Sequence, residues 1–173
     1  MPSAIDAPAL LVDLLARPFP AEPDPPHPHY TFDAYCEFLV NAPRRLISIV
    51  DAGYYDPLQY EPGEEPDPID LELQYEHLFA EAITAVARHW GEATFLGSSL
   101  LFSRLTNVAP GDPDGADYAL FDETVFNFDV AQVAFWRSPS GHEGRIAFIH
   151  FAVQYGDGDI QLSVCACVVL DDR

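Results

Sequence analysis

The dipeptide Asp157-Gly158 stands between two long runs rich in apolar and β-branched residues, Arg145–Tyr155 and Ile160–Leu170. Asp-Gly is a preferred centre for a type I′ turn, whose two central residues both need positive φ. A two-residue turn at this point fixes the register of a whole hairpin. It sets Tyr155 opposite Ile160, Val153 opposite Leu162 and Phe151 opposite Val164. Side chains alternate between the faces of a strand, so these pairs, with Ile149 and Ala166, form one apolar face that another element has to cover.

The cover is found upstream. Leu71, Tyr75, Leu78, Phe79, Ala82, Ile83, Val86 and Trp90 recur at helical spacing, which predicts an amphipathic helix from Asp70 to Trp90 with Gly91 as its C′ residue. Glu72 and Glu76 are expected to face out. Acidic residues in the first turn and Arg88 and His89 in the last complement the helix dipole. A first helix is expected over Pro2–Arg17, with Ser3 as N-cap, a stripe of Leu10, Leu11, Leu14 and Leu15, and Pro18 as its stop. A short third helix, opened by Thr31 and closed before Pro43, would carry Phe32, Tyr35, Cys36 and Leu39.

Strands are expected at Leu46–Val50, within Thr94–Leu105, and at Tyr118–Phe121, Thr124–Phe128 and Gln132–Arg137. Three stretches read as irregular. These are the proline-rich arm 18–30, an acidic proline-rich loop over 51–70, and an acidic loop over 107–117 holding Asp112, Asp114 and Asp117. The fold class that follows is α+β: N-terminal helices and one long amphipathic helix packed on a C-terminal antiparallel β-meander. With 173 residues the whole chain, 1–173, fits one domain with a core of its own.

The same hairpin register sets His150 opposite Cys165 and Phe148 opposite Cys167, on the face away from the first apolar set. A His beside Cys-x-Cys is a candidate for a metal site or an activated thiolate. That face also holds Ile146, Ala152 and Ser163, no fourth ligand is evident, and buried free cysteine usually behaves as a small hydrophobe, so core is the first reading. His77 and Glu81 are four apart on a helix, which suits a surface hydrogen bond. DPDGAD lacks the distal Glu of a calcium loop and reads as turn chemistry. The sequence has no glycine-rich phosphate loop, nucleophile elbow, HExxH or CxxC, so no catalytic activity, cofactor or resident metal is expected.

Charge carries most of the functional signal. The chain has 28 acidic and 8 basic residues, no lysine, and a net charge of −20. Such a field repels nucleic acid and anionic membranes and attracts cationic proteins. An alanine-, proline- and arginine-rich composition of this kind also has a compositional explanation, so the distribution of charge has to decide. Between Asp51 and Glu76 lie Asp51, Asp56, Glu61, Glu64, Glu65, Asp67, Asp70, Glu72 and Glu76, with no Lys or Arg among them. Neither a membrane-length apolar run nor a secretory signal is present, and three cysteines do not make a disulfide framework, so a cytoplasmic location is expected.

A small acidic chain with a helix ending in HWGEATFLG, followed by AQVAFWRSP, RIAFIHFAVQY and DIQLSVCACVV, is similar to the small immunity proteins with which bacteria neutralise toxins. The resemblance covers Leu71 to Leu170 as an overall pattern, so it transfers no individual residue. It implies a protein without catalytic residues that binds its toxin through a variable, often acidic surface. Joined to the charge, it gives the expectation of an inhibitor whose Glu61, Glu64, Glu65, Asp67, Asp70, Glu72 and Glu76 face a basic protein. Three alternatives stand beside it. One is a DNA mimic that inhibits a DNA-binding protein. Another is a metal or thiol enzyme built on His150, Cys165 and Cys167. The last is an assembly subunit with an interface of Phe95, Leu96, Leu100, Leu101 and Phe102.

Overall fold

The computed structural model describes residues 6–22, 45–98, 130–137, 139–155 and 158–171. The fold is mixed α+β. Helix α1 (Ala7–Ala16) is followed by strand β1 (Arg45–Tyr55), a 3-10 turn (Pro57–Gln59) and helix α2 (Pro68–Trp90). Then come β2 (Phe95–Ser98), β3 (Val130–Arg137), β4 (Arg145–Tyr155) and β5 (Ile160–Leu170), with a second 3-10 turn, Pro139–Gly141, between β3 and β4. One antiparallel sheet holds the strands in the order β1-β5-β4-β3-β2. The meander β3–β4–β5 is as expected, but the sheet is not wholly C-terminal: β1, from before the long helix, forms the edge beside β5.

The hairpin register holds along its length, with Tyr155 opposite Ile160, Phe151 opposite Val164 and His150 opposite Cys165. Gly158 has φ 103°, the positive value the turn demands.

Both helices begin where a proline fits. In α1 the Asp6 carboxylate accepts from the Ala9 amide at 3.1 Å, and Pro8 sits in the first turn. A helix running from Pro2 would have put Pro8 in its interior, where the missing N–H and the ring clash cost about 3 kcal/mol. The start at Ala7 with Asp6 as cap therefore replaces the expected start at Pro2; Ser3 lies outside the described residues. In α2 the start is Pro68 rather than Asp70. Asp67 caps it by accepting from the Ile69 amide at 2.8 Å, and proline at the first helical position sacrifices no hydrogen bond. The helix stops at Gly91, φ 86°, whose amide donates to the Ala87 carbonyl at 2.8 Å.

Strand β1 corrects the expectation for residues 51–70. It continues past Val50 to Tyr55, so Asp51–Tyr55 is strand rather than loop, and Pro68–Asp70 is already helix. The pairing with β5 shifts between Ile49 and Asp51, which leaves Val50 as the extra residue of a β-bulge. A bulge reverses the alternation of faces. Leu46 and Ser48 pair with the helix-side residues Val168 and Ala166, and beyond the bulge the odd-numbered Asp51, Gly53 and Tyr55 pair with Val164, Leu162 and Ile160 on that same side.

The core lies between the helices and one sheet face. Leu11, Leu14 and Leu15 of α1 and Phe79, Ala82 and Val86 of α2 pack with Ile149, Phe151, Val153, Leu162, Val164 and Val168. Each large side chain fully removed from water contributes about 1.5–3 kcal/mol. Arg145 pins the end of α1 to the sheet: one guanidinium nitrogen donates to the carbonyls of Leu15 and Arg17, each at 2.9 Å, with the group 4.7 Å above the Phe19 ring. At the same end of the strands, on β3, the Trp136 indole N–H donates to the Gly91 carbonyl at 3.0 Å, and the Thr94 amide donates to the Phe135 carbonyl at 2.8 Å. These bonds carry the chain out of α2 into the sheet.

Helix α2 approaches β1 closely where Gly53 leaves room. A Cβ at Gly53 would collide with the Tyr75 hydroxyl, which itself donates to Asp51 at 3.3 Å. Gly53→Ala is expected to displace Tyr75, break that bond and lower stability by about 1–3 kcal/mol, read as a shift of the urea midpoint at unchanged slope. Tyr75→Phe alone should lose only the hydrogen bond, about 1 kcal/mol.

The expected short helix at Thr31, residues 23–44 of the arm and beyond, the loop over 107–117, and the strands Tyr118–Phe121 and Thr124–Phe128 lie outside the described residues.

Candidate functional site

The acidic stretch bends through four kinds of backbone: the end of β1, the 3-10 turn, an irregular link and the first turns of α2. Several of its carboxylates have local structural work. Asp51 accepts from Tyr75, Asp56 accepts from the Leu58 amide at 2.9 Å, Asp67 caps α2, and Glu65 accepts from the Gly63 amide at 2.6 Å. For Asp51, Asp56 and Asp67 turn and capping chemistry is a sufficient reason for an acid. Glu61, Glu64 and Asp70 are exposed and make no side-chain hydrogen bond or ion pair among the described residues.

The acids gather around one aromatic. Tyr55 is 6% exposed, and its ring lies 5.6 Å from that of Tyr60. Burial raises its phenol above the ordinary 10.0, and the negative charges of Glu65, Asp67 and Asp56 push the same way. Asp56 at the start of the 3-10 turn and Asp67 at the cap of α2 thus both lie within electrostatic reach of Tyr55. Glu61, Glu64, Glu65, Asp67 and Asp70 are each exposed, along the link that runs from the 3-10 turn into the first turn of α2. Glu72 and Glu76 are not, since both are half-buried rather than facing out. On the helix they sit one and two turns before Phe79, whose side chain is in the core, so they flank the buried stripe.

Apolar residues share this region, and sequence reasoning had passed over them as surface features. Leu58 is 91%, Ile69 67% and Leu73 54% exposed. The signal was present: a wheel that buries Leu71, Tyr75, Leu78 and Ala82 leaves Ile69 and Leu73 on the opposite side. Farther along α2, His77 meets Glu81 at 3.2 Å as an exposed pair, as its spacing suggested. Beside it runs an open groove of about 450 Å³ lined by residues such as Val50, Leu78, Ala80, Thr84 and Arg88.

The second constellation lies on the other sheet face. His150 is 2% exposed, and Cys165 and Cys167 are fully buried among Phe135, Phe148 and Val169, with neither cysteine in a disulfide. Burial pushes the His150 imidazole down to about 4 and the Cys165 thiol up to about 12, the latter despite an opposing hydrogen bond with Ser163. At neutral pH the pair is thiol and neutral imidazole, the reverse of the thiolate–imidazolium arrangement that nucleophilic chemistry uses. Among the described residues no three His, Cys, Asp or Glu side chains come together as metal ligands. Of the proposed subunit interface, Phe95 stacks on Phe135 with centroids 5.8 Å apart, and Leu96 is 57% exposed; Leu100, Leu101 and Phe102 lie outside the described residues.

No family model, no curated protein and no solved structure matches this chain. Among the described residues no helix is long and apolar enough to cross a membrane.

Proposed function

We propose that this protein is an acidic binding protein that neutralises a basic protein partner in the cytoplasm, as an immunity protein does its cognate toxin. The observation that carries the reading is the run of exposed carboxylates Glu61, Glu64, Glu65, Asp67 and Asp70, of which Glu65 and Asp67 act electrostatically on Tyr55, in a stretch without Lys or Arg. Among the described residues, Arg17 is engaged with Asp13, Arg137 with Asp171 at 3.4 Å, and Arg145 with α1. No Lys or Arg lies within the stretch itself, and its field accelerates encounter with a cation-lined cleft. Inhibition follows when the acidic side occupies that cleft and excludes the cleft's own anionic substrate.

The test uses a variant with Glu61→Gln, Glu64→Gln, Glu65→Gln, Asp67→Asn and Asp70→Asn. Amides retain the acceptor oxygens that bond the Gly63 and Ile69 amides, and Asn is as good an N-cap as Asp, so the fold should persist. Wild type and variant are used to capture partners from cell extract of the native source. Recovery of a basic protein that the variant retains at least about tenfold more weakly is the expected result. Equal retention by both proteins, or recovery of acidic partners alone, contradicts the proposal. Release of the partner by added duplex DNA would identify it as a nucleic-acid-binding protein.

A further inference from the structure

The solvent-facing side of α2 is apolar at its start, which neither capping chemistry nor the core explains. Ile69 and Leu73 stand one helical turn apart, 67% and 54% exposed, and form a ridge. Leu58, 91% exposed, projects from the neighbouring 3-10 turn. Asp56 bonds the Leu58 amide and Asp67 bonds the Ile69 amide, so each apolar projection stands beside a capping carboxylate. In the C-terminal direction the same side of the helix carries the small Ala80 and Thr84, which border a groove also lined by His77, Glu81 and Arg88. Isolated exposed leucines need no explanation. An apolar ridge at the start of a helix, among exposed acids, does.

We infer that this side of α2 is the docking surface for a basic amphipathic helix of a partner protein, with apolar residues seated on Ile69 and Leu73 and Lys or Arg set against Glu64, Asp67 and Asp70. The inference rests on the proposed capture of a basic partner and adds its mode of recognition. Charge selects the occupant. A second copy of this chain brings another net charge of −20 to the same place and is repelled, as are nucleic acid and anionic lipid surfaces. A cationic helix is attracted, and its apolar stripe at three- and four-residue spacing matches the spacing of the ridge. Acids around the rim govern the rate of encounter. The ridge, desolvated in the complex, governs how long it lasts.

Two synthetic helical peptides of equal positive charge test this. One carries Leu at positions i, i+4 and i+7 beside its Lys residues, and the other carries Ala at those positions. Their affinities are measured for wild type, for Ile69→Ala/Leu73→Ala, for the five-amide variant and for Leu96→Ala, which removes an exposed leucine on β2 as a control. Wild type is expected to prefer the Leu peptide by about tenfold or more. The double variant should reduce the preference to about twofold or less, while Leu96→Ala leaves it intact. The five-amide variant should weaken both peptides alike and preserve the preference. The docking surface is overturned if the double variant keeps the wild-type preference, if Leu96→Ala abolishes it equally, or if wild type shows none. A five-amide variant that binds both peptides as wild type does would overturn the charge-based reading, with the ridge judged separately by the double variant.

Discussion

Phe151→Ala should destabilise the protein by about 3–5 kcal/mol, a large share of the 5–15 kcal/mol typical of a domain. Phe151 is fully buried in the middle of β4, opposite Val164 of β5 and Gln132 of β3, with its ring 6.2 Å from Phe79 of α2. The side chain therefore joins the central strands to the long helix. The central strands are hydrogen-bonded on both sides and cannot close on the space, so the cavity cost adds to the lost transfer energy. Phe151→Leu keeps most of the volume and should lose less than half as much. Urea unfolding followed by circular dichroism measures both. A Phe151→Ala loss below about 1 kcal/mol would mean that α2 does not cover this face.

The second large effect is a loss of stability in mild acid. The folded protein holds His150 neutral down to about 4, against an ordinary value of 6.5. As pH falls through 6.5 the unfolded chain takes up a proton that the folded protein refuses, so stability drops. The loss is complete once pH passes the folded value. Over that window it amounts to about 3 kcal/mol. The Cys165 thiol acts at the other limit: its folded value is raised from 9.0 to about 12, so stability is present below pH 9 and lost as pH rises above it. His150→Leu isolates the acid effect. His150 Nδ1 is buried and has no hydrogen-bond partner among the described residues, so removing the imidazole at pH 7 should leave stability unchanged or slightly higher. Between pH 6.5 and 4 the difference between variant and wild type should grow steadily. A difference that stays constant with pH would show that His150 is solvated.

Some of this was legible residue by residue. Asp157-Gly158 fixed the hairpin register because a two-residue turn leaves no freedom in the pairing, and every pair expected for Phe148–Tyr155 is observed. Helix α2 was legible from its period, and its true start was written in Asp67-Pro68, where a cap precedes a proline suited to the first position. Strand β1 was cut short for a physical reason. Its bulge at Val50 breaks the two-residue alternation that marks a strand, so Asp51–Tyr55 merged with the acidic, proline-rich run that follows. The partial burial of Glu72 and Glu76 was also hidden, because it depends on which side of the stripe the sheet approaches. At the candidate site the acids were conspicuous by count. That Glu65, Asp67 and Asp56 all act on Tyr55 was not, since it depends on the path of the chain between β1 and α2. Ile69 and Leu73 were visible in principle as apolar residues on the wrong side of the wheel.

The central claim is that the acidic side around Tyr55 captures a basic protein by electrostatic attraction. Its most direct test is the association rate of the captured partner with wild type and with the five-amide variant, measured by stopped flow across a range of salt. The expected result is a wild-type rate that falls steeply as salt rises, and a variant that is about tenfold or more slower at low salt with a nearly flat dependence. Coincident rates and slopes for the two proteins would contradict the claim.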